Sequence, residues 1–272
     1  MKPPLILLLI LSAIWSQTPT HTPTLFDRYL QSKTRHYQPL TPTEYQQAIG
    51  LFSSLLKEAN LTTTQQHQLT ALGLEIRYHT PHLISIQSHA SQGQGIFLIR
   101  YTPTAHRMLS LPHRFFDRHT GYIGYKLMRH HPYRAAAFNT LHRKVMDSAH
   151  TTQTLFNAFH IAFAKAFPKE AIYQLHGFDN HTIPTIDAIV STTTPHPSTH
   201  TLAIAQCFQS IGIPSRLYGT QIQRLGGTTN HQAHTLHRYG YQHFVHIEMS
   251  RPLRESLKRT SSSRDALSAC LP

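Results

Sequence analysis

A chain of 272 residues carrying only two cysteines is long enough to bury a core of its own and is not a small disulfide-stapled module. Its net charge of +13 favours acidic partners, yet the lysines and arginines are scattered, which excludes a run of the kind that forms a nucleic-acid-binding arm. With 23 histidines present, any single one counts only where its position and neighbours support it.

The opening stretch from Met1 to Ser16 has a basic start, a short apolar core and a small-residue end. That pattern is expected of a secretory signal peptide cleaved near Ser16 or Gln17, and it is short for a membrane span. No cysteine sits where a lipid would be attached, and no later segment is long and apolar enough to cross a bilayer. Export to the periplasm or the medium as a soluble protein follows as an expectation. Residues 18–73 then form an N-terminal lead-in with helices, 74–260 the main domain, and 261–272 a loose tail.

Within the lead-in, residues 17 to about 40 are rich in Thr, Pro and Gln and read as irregular. Thr41 and Glu44 have capping-box spacing and start a helix through Ala48, Leu51, Phe52, Leu55 and Leu56. A second helix is expected over Thr63–Leu72. Strand patterns follow at Leu74–Tyr78, Leu83–Ser88, Gly95–Tyr101 and Met108–Leu111. Beyond them helices and strands alternate: a helix over 121–130, a strand from Ala136 to Leu141, and an amphipathic helix from Thr151 to Phe167. Short apolar strands are expected at Ile172–Leu175 and Ala188–Thr192, a helix at Thr199–Ile211, and a strand at Arg216–Tyr218. Phe244–Met249 reads as the central strand, and Pro252 opens a final helix. Such alternation implies an α/β fold with a mixed, mostly parallel central sheet covered by helices on both faces. Cys207 and Cys270 either form one disulfide or leave a buried Cys207 beside a free Cys270.

The chemistry is sought at the carboxyl ends of the strands, where open α/β sheets gather their functional groups. His113 and Asp117 follow the Met108 strand, Asn139 and Arg143 follow the Ala136 strand, and His176 ends the Ile172 strand. Glu248 sits inside the apolar Phe244 strand, on the same face as Phe244 and His246. A carboxylate there needs a partner, because burying an unpaired charge costs several kcal/mol or forces protonation. Its ordinary partner would be Arg251 or Arg254. Its chemical alternative is a reacting water near a metal.

His113, Asp117 and His176 make a two-histidine, one-carboxylate set whose nitrogen and oxygen atoms suit zinc and leave a position for water. Such a metal lowers the pKa of bound water from ~15.7 to about 7. Glu248 is then the candidate general base, and Arg143 the candidate to polarise a carbonyl or hold a carboxylate. Asn139 and Arg254 join Arg143 as candidate substrate-binding residues. Each has a plainer alternative: helix capping for His113 and Asp117, a tight turn for His176, and an ion pair with Asp147 for Arg143. Asp147 and His150 are the substitutes if the ligand set differs; His142 and His160 read as structural.

The segments Pro112–Asp117, Asn139–Arg143, Gln174–Phe178 and His246–Arg254 occur in an order that resembles the zinc hydrolases of the carboxypeptidase-like fold, nearest to N-formylglutamate amidohydrolases and phage poly-γ-glutamate hydrolases. The resemblance covers about residues 108 to 258. It implies zinc on His113, Asp117 and His176 with Glu248 as base, although aspartate stands here where a ligand glutamate is commoner, at a shifted spacing. It also implies cleavage of an amide bond near a glutamyl carboxylate, giving a peptide or γ-glutamyl substrate. Two other functions share parts of the pattern: a zinc amidase acting on peptidoglycan, and a non-catalytic, histidine-rich protein that binds metals or polyanions. Glu248 separates the last from the others, since a metal buffer needs no base facing its metal.

Overall fold

The protein is described here by a computed structural model covering residues 37–58, 60–88, 94–179, 181 and 183–272. The apolar start read as a signal peptide, and the lead-in before residue 37, lie outside the described residues. The described part opens with α1 (Pro42–Lys57) and α2 (Thr63–Ala71). Both start at capping boxes: Thr41 with Glu44, and Thr62 with Gln65. An antiparallel meander follows, β1 (Leu74–Thr80), β2 (Leu83–Ser88) and β3 (Ile96–Arg100). Then come β4 (His106–Leu111), α3 (Thr120–His130), β5 (Tyr133–Phe138), α4 (Leu155–Ala166) and β6 (Ile172–Gly177). The chain continues through β7 (Ala188–Ser191), α5 (Thr199–Ser210), β8 (Ser215–Leu217), α6 (His231–Arg238), β9 (Phe244–Met249), α7 (Arg251–Arg259) and α8 (Ser261–Ala269).

The nine strands form one mixed sheet in the order β1-β2-β3-β5-β4-β6-β9-β7-β8. Its centre, β5-β4-β6-β9, is parallel throughout, as the strand–helix alternation implies. The meander joins that centre antiparallel through β3, and β7 joins antiparallel to β9 with β8 parallel beyond it. From β4 the chain moves one way to β5 and the other way to β6. The gap between the carboxyl ends of β4 and β6 is therefore a topological switch point, where such sheets place ligands.

Helices cover both faces. On one, α1, α4 and α6 share a core with Ile84, Ile86, Phe97, Met108, Ala135, Ile172 and Phe244. On the other, α3 packs so closely that a Cβ at Gly124 would lie 2.8 Å from Leu111, and α7 and α8 pack beside it. Strand register arranges the first face in rows. Met108, Ile172 and Phe244 form an apolar row, Ser110, Gln174 and His246 a polar one, and His176 and Glu248 stand side by side at the carboxyl end. Among the described residues, no helix is long and apolar enough to cross a membrane.

Three local differences from the sequence expectation have physical reasons. The strand expected over Ala136–Leu141 runs instead over Tyr133–Phe138, because Ala135–Phe138 register against Met108–Leu111; Asn139 falls just beyond its end. Helix α6 was not expected, since Ala233 and Leu236 are its only apolar residues; an Asn230 cap and a buried Gln232 help to hold it. Residues 261–272, expected as a loose tail, hold α8 and bury Arg264, Leu267, Cys270 and Leu271. Cys270 is bonded to Cys207 of α5 with the two Cα atoms 5.5 Å apart, which resolves the alternative left open above.

Candidate metal centre

After β4 the chain makes one tight turn in which the N–H groups of Phe116 and Asp117 both donate to the carbonyl of His113, each at 2.8 Å. That turn sets His113 and Asp117 four residues apart on one side, as in a helix. His176 reaches the same point from the end of β6. His113 Nδ1 and His176 Nδ1 lie 3.5 and 3.3 Å from the same oxygen, Asp117 Oδ2, and all three residues are buried. Neither plainer alternative for this pair holds. Helix α3 has His119 at its N-cap with no side-chain hydrogen bond, so Asp117 and His113 do not cap it. His176 bonds to Gln174 and not to a turn.

The outer nitrogens of both imidazoles are committed. His113 Nε2 is 2.7 Å from Asp147 Oδ1 and His176 Nε2 is 2.8 Å from Gln174 Oε1. A carboxylate only accepts, so His113 carries its proton on Nε2 and turns Nδ1 toward Asp117. Carboxylate or amide oxygens behind ligand histidines are the usual support of a metal site. Asp117 Oδ2 itself is buried with no hydrogen bond of proper geometry. An oxygen that faces two imidazole nitrogens at hydrogen-bond range or a little more, and is bonded to neither, fits a cation seated among the three. Among the described residues, no other three His, Cys, Asp or Glu side chains gather their ligand atoms this closely.

Charge and burial act together here. Burial pulls His113 down, but close contact with the Asp117 carboxylate and the hydrogen bond to Asp147, with their negative charges, outweigh that and hold it at about 9. Burial raises Asp117, and contact with His113 and His176 overrides it, holding the carboxyl well below the usual range. Burial also raises Asp147, whose hydrogen bond to His113 and the charges of His113, Arg143 and His150 bring it to about 2. His176 is pushed down to about 4 by burial and then by the neighbouring His246. A proton thus occupies this cluster when no metal does, and a divalent cation would displace it.

Beside these residues opens a cavity of about 220 Å³, lined among others by Phe116, Arg143, Phe178, Gly227, His246 and Glu248. Glu248 is register-paired with His176 across β6 and β9. Its Oε1 lies 3.4 Å from His246 Nε2, and its Oε2 is buried without a hydrogen-bond partner. The ordinary ion-pair reading fails for Arg254, and Arg251 is paired with Glu255 at 3.0 Å. Arg143 does form the local ion pair, 2.9 Å from Asp147 Oδ2, while its guanidinium lies over the Phe116 ring at the cavity wall.

Two expected substrate-binding residues are corrected. Asn139 is fully buried; its amide nitrogen donates to the carbonyls of Pro112 and Leu141 and its oxygen accepts from Leu141 N–H. Arg254 is buried under Gly177 and donates to the carbonyls of Met249, Arg118 and Phe178. Both hold the loops that carry the site, because buried loop carbonyls require donors. His246 was not singled out, although its two-residue spacing from Glu248 put it on the same face. It is buried, neither ring nitrogen makes a hydrogen bond, and its ring lies 4.5 Å from that of His176. Gly227, with φ of +65°, lies so close to it that a Cβ there would come within 2.7 Å of His246 Nδ1.

No protein-family model matches the chain, and no curated protein matches it. Among solved structures it is similar to zinc-free YNDL, at 11% identity over 65% of this chain and 89% of that one, with a TM-score of 0.39. It is similar to an aspartoacylase family protein from Mesorhizobium loti, at 9% identity over 73% and 64% of the two chains and a TM-score of 0.42. A metallo-carboxypeptidase from Burkholderia cenocepacia is similar at 9% identity over 86% and 68%, with a TM-score of 0.37. The chemistry rests on this chain's own residues.

Proposed function

We propose that this protein is an exported, zinc-dependent hydrolase that cleaves an amide bond next to an acidic, glutamyl-type group. The observation that carries the proposal is the meeting of His113 Nδ1, His176 Nδ1 and Asp117 Oδ2 at one buried point, with Glu248 beside it. Zinc held there would supply Lewis-acid chemistry, polarising a carbonyl and acidifying water. Glu248 offers its unpartnered Oε2 to take a proton from water and pass it to the leaving nitrogen. Arg143, held through one nitrogen by Asp147, turns the rest of its fork toward a substrate carboxylate. Phe116 and Phe178 give that cavity apolar walls.

The test is a panel of N-acylglutamates, γ-glutamyl peptides and peptidoglycan fragments offered to the zinc-loaded protein. Hydrolysis of an acidic amide is expected, abolished by a chelator and restored by zinc. Glu248→Gln should keep its fold and its zinc while turnover falls by roughly 10²–10⁴-fold, the usual reach of general acid–base catalysis. A Gln variant that is zinc-loaded and fully active removes Glu248 from the role. One that loses its zinc makes Glu248 a ligand in place of Asp117. Cleavage confined to the peptidoglycan fragments would make the protein a cell-wall amidase.

A further inference from the structure

The polar row below the candidate ligands holds a buried amide whose orientation is set from three sides. We propose that Gln174 is a positioning residue for His176, fixing the tautomer in which a bare Nδ1, and not an N–H, faces Asp117. The inference rests on the metal-site reading above and extends it into the core.

The first anchor starts at a carbonyl. Phe156 O can only accept, so His160 Nδ1, 2.6 Å away, carries a proton. His160 is fully buried and burial pushes it down to about 4, so it is neutral and its Nε2 is bare. Ser110, 2.7 Å from that nitrogen, must donate its hydroxyl hydrogen to it. The Ser110 oxygen then accepts from Gln174 Nε2 at 3.1 Å.

The second anchor is the carbonyl of Ser148, which accepts from Gln232 Nε2. Gln232 therefore turns its oxygen toward Gln174 Nε2, at 3.4 Å. The third is the N–H of Ala233, which donates to Asn230 Oδ1 at 3.1 Å. Asn230 therefore turns its nitrogen toward Gln174 Oε1. All three set the Gln174 nitrogen inward and its oxygen outward.

That oxygen lies 2.8 Å from His176 Nε2, which must donate to it. The remaining nitrogen of the ring, Nδ1, is left with a lone pair aimed at Asp117 Oδ2. The two histidines are thus oriented by different chemistry. His113 is backed by the carboxylate of Asp147, whereas His176 is backed by a neutral amide, which adds no further negative charge to a site that already holds Asp117 and Glu248.

Three measurements test this. In the metal-free wild-type protein, two-bond nitrogen–proton correlation spectra should show His176 protonated at Nε2; an Nδ1–H tautomer overturns the proposal whatever the variants do. Zinc affinity, read by chelator competition alongside the unfolding temperature, should fall roughly 10–100-fold in Gln174→Leu, the usual effect of losing such a support. Gln174→Glu keeps an acceptor oxygen toward His176 and should recover most of that loss. Leu and Glu variants that weaken alike, or a Leu variant that binds as tightly as wild type, overturn the role of Gln174. A wild-type protein that takes up no zinc, or a His176→Ala variant that binds as much as wild type, instead refutes the metal site itself.

Discussion

Arg143 has one observed ion-pair partner and, under the proposed function, a second duty. Its Nη2 is tied to Asp147 Oδ2, and Asp147 in turn holds His113 through the other oxygen. A lysine in its place keeps a charge near Asp147 but loses the flat fork that can serve a carboxylate at the same time. Under the proposed function, Arg143→Lys is expected to retain zinc and to lower kcat/KM on the proposed acidic substrate by at least ~10-fold; activity within about twofold of wild type would leave Arg143 as the partner of Asp147 alone. At this scale the sequence was legible where a residue broke its own surroundings. Glu248 in an apolar strand and His176 at a strand end stood out for that reason. Asn139 and Arg254 also occupied strand ends, but which loop carbonyls need donors is decided by the folded path, which local pattern does not encode. Gln174 and Asp147 matter through what they touch, 2 and 34 positions away in sequence.

Elements with strong patterns were read at nearly their true bounds, and those with weak patterns were not. The capping boxes marked α1 and α2, and the apolar runs marked β2, β6 and β9. Helices α6 and α8 carry few apolar residues and depend on tertiary partners: buried Gln232 in one, and in the other Arg264, which donates to the carbonyl of Leu257. Such helices are stabilised by packing more than by propensity, so periodicity alone misses them. The disulfide does similar work for the end of the chain, joining Cys207 of α5 to Cys270 past the end of α8 across 63 residues. Loop entropy puts its contribution at about 4 kcal/mol. Reduction, or the Cys207→Ser and Cys270→Ser pair, is expected to lower the urea midpoint substantially while leaving zinc content unchanged; an unchanged midpoint would mean that α8 holds by packing alone.

Across the whole molecule, acidic residues are scarce, 12 against 25 Lys and Arg, yet Asp117, Asp147 and Glu248 gather at one site. Burial of histidines and that concentration of carboxylates together link the fold to pH. His160 and His176 lie near 4 in the folded chain against 6.5 when free. Their contribution to stability is present above about 6.5 and is lost as pH falls toward 4, because the unfolded chain takes up the protons first. His113, held at about 9, contributes fully below about 6.5 and loses its contribution as pH rises through 9. In chelator, calorimetry is therefore expected to find the highest melting temperature near pH 6.5, falling on both sides. A melting temperature that climbs steadily through that range would contradict these three assignments. The parallel centre of the sheet and the place of the site at its carboxyl ends were legible from strand–helix alternation. Which polar residues face the cavity required the register of β4, β6 and β9.

The central claim is that His113, Asp117 and His176 hold one metal ion, and metal content after dialysis tests it most directly. The purified protein should retain one equivalent of zinc, and His113→Ala and His176→Ala should each retain far less while still folding, since removing one of three ligands sharply weakens a site. If both variants keep a full equivalent, the cluster at Asp117 is not the metal site.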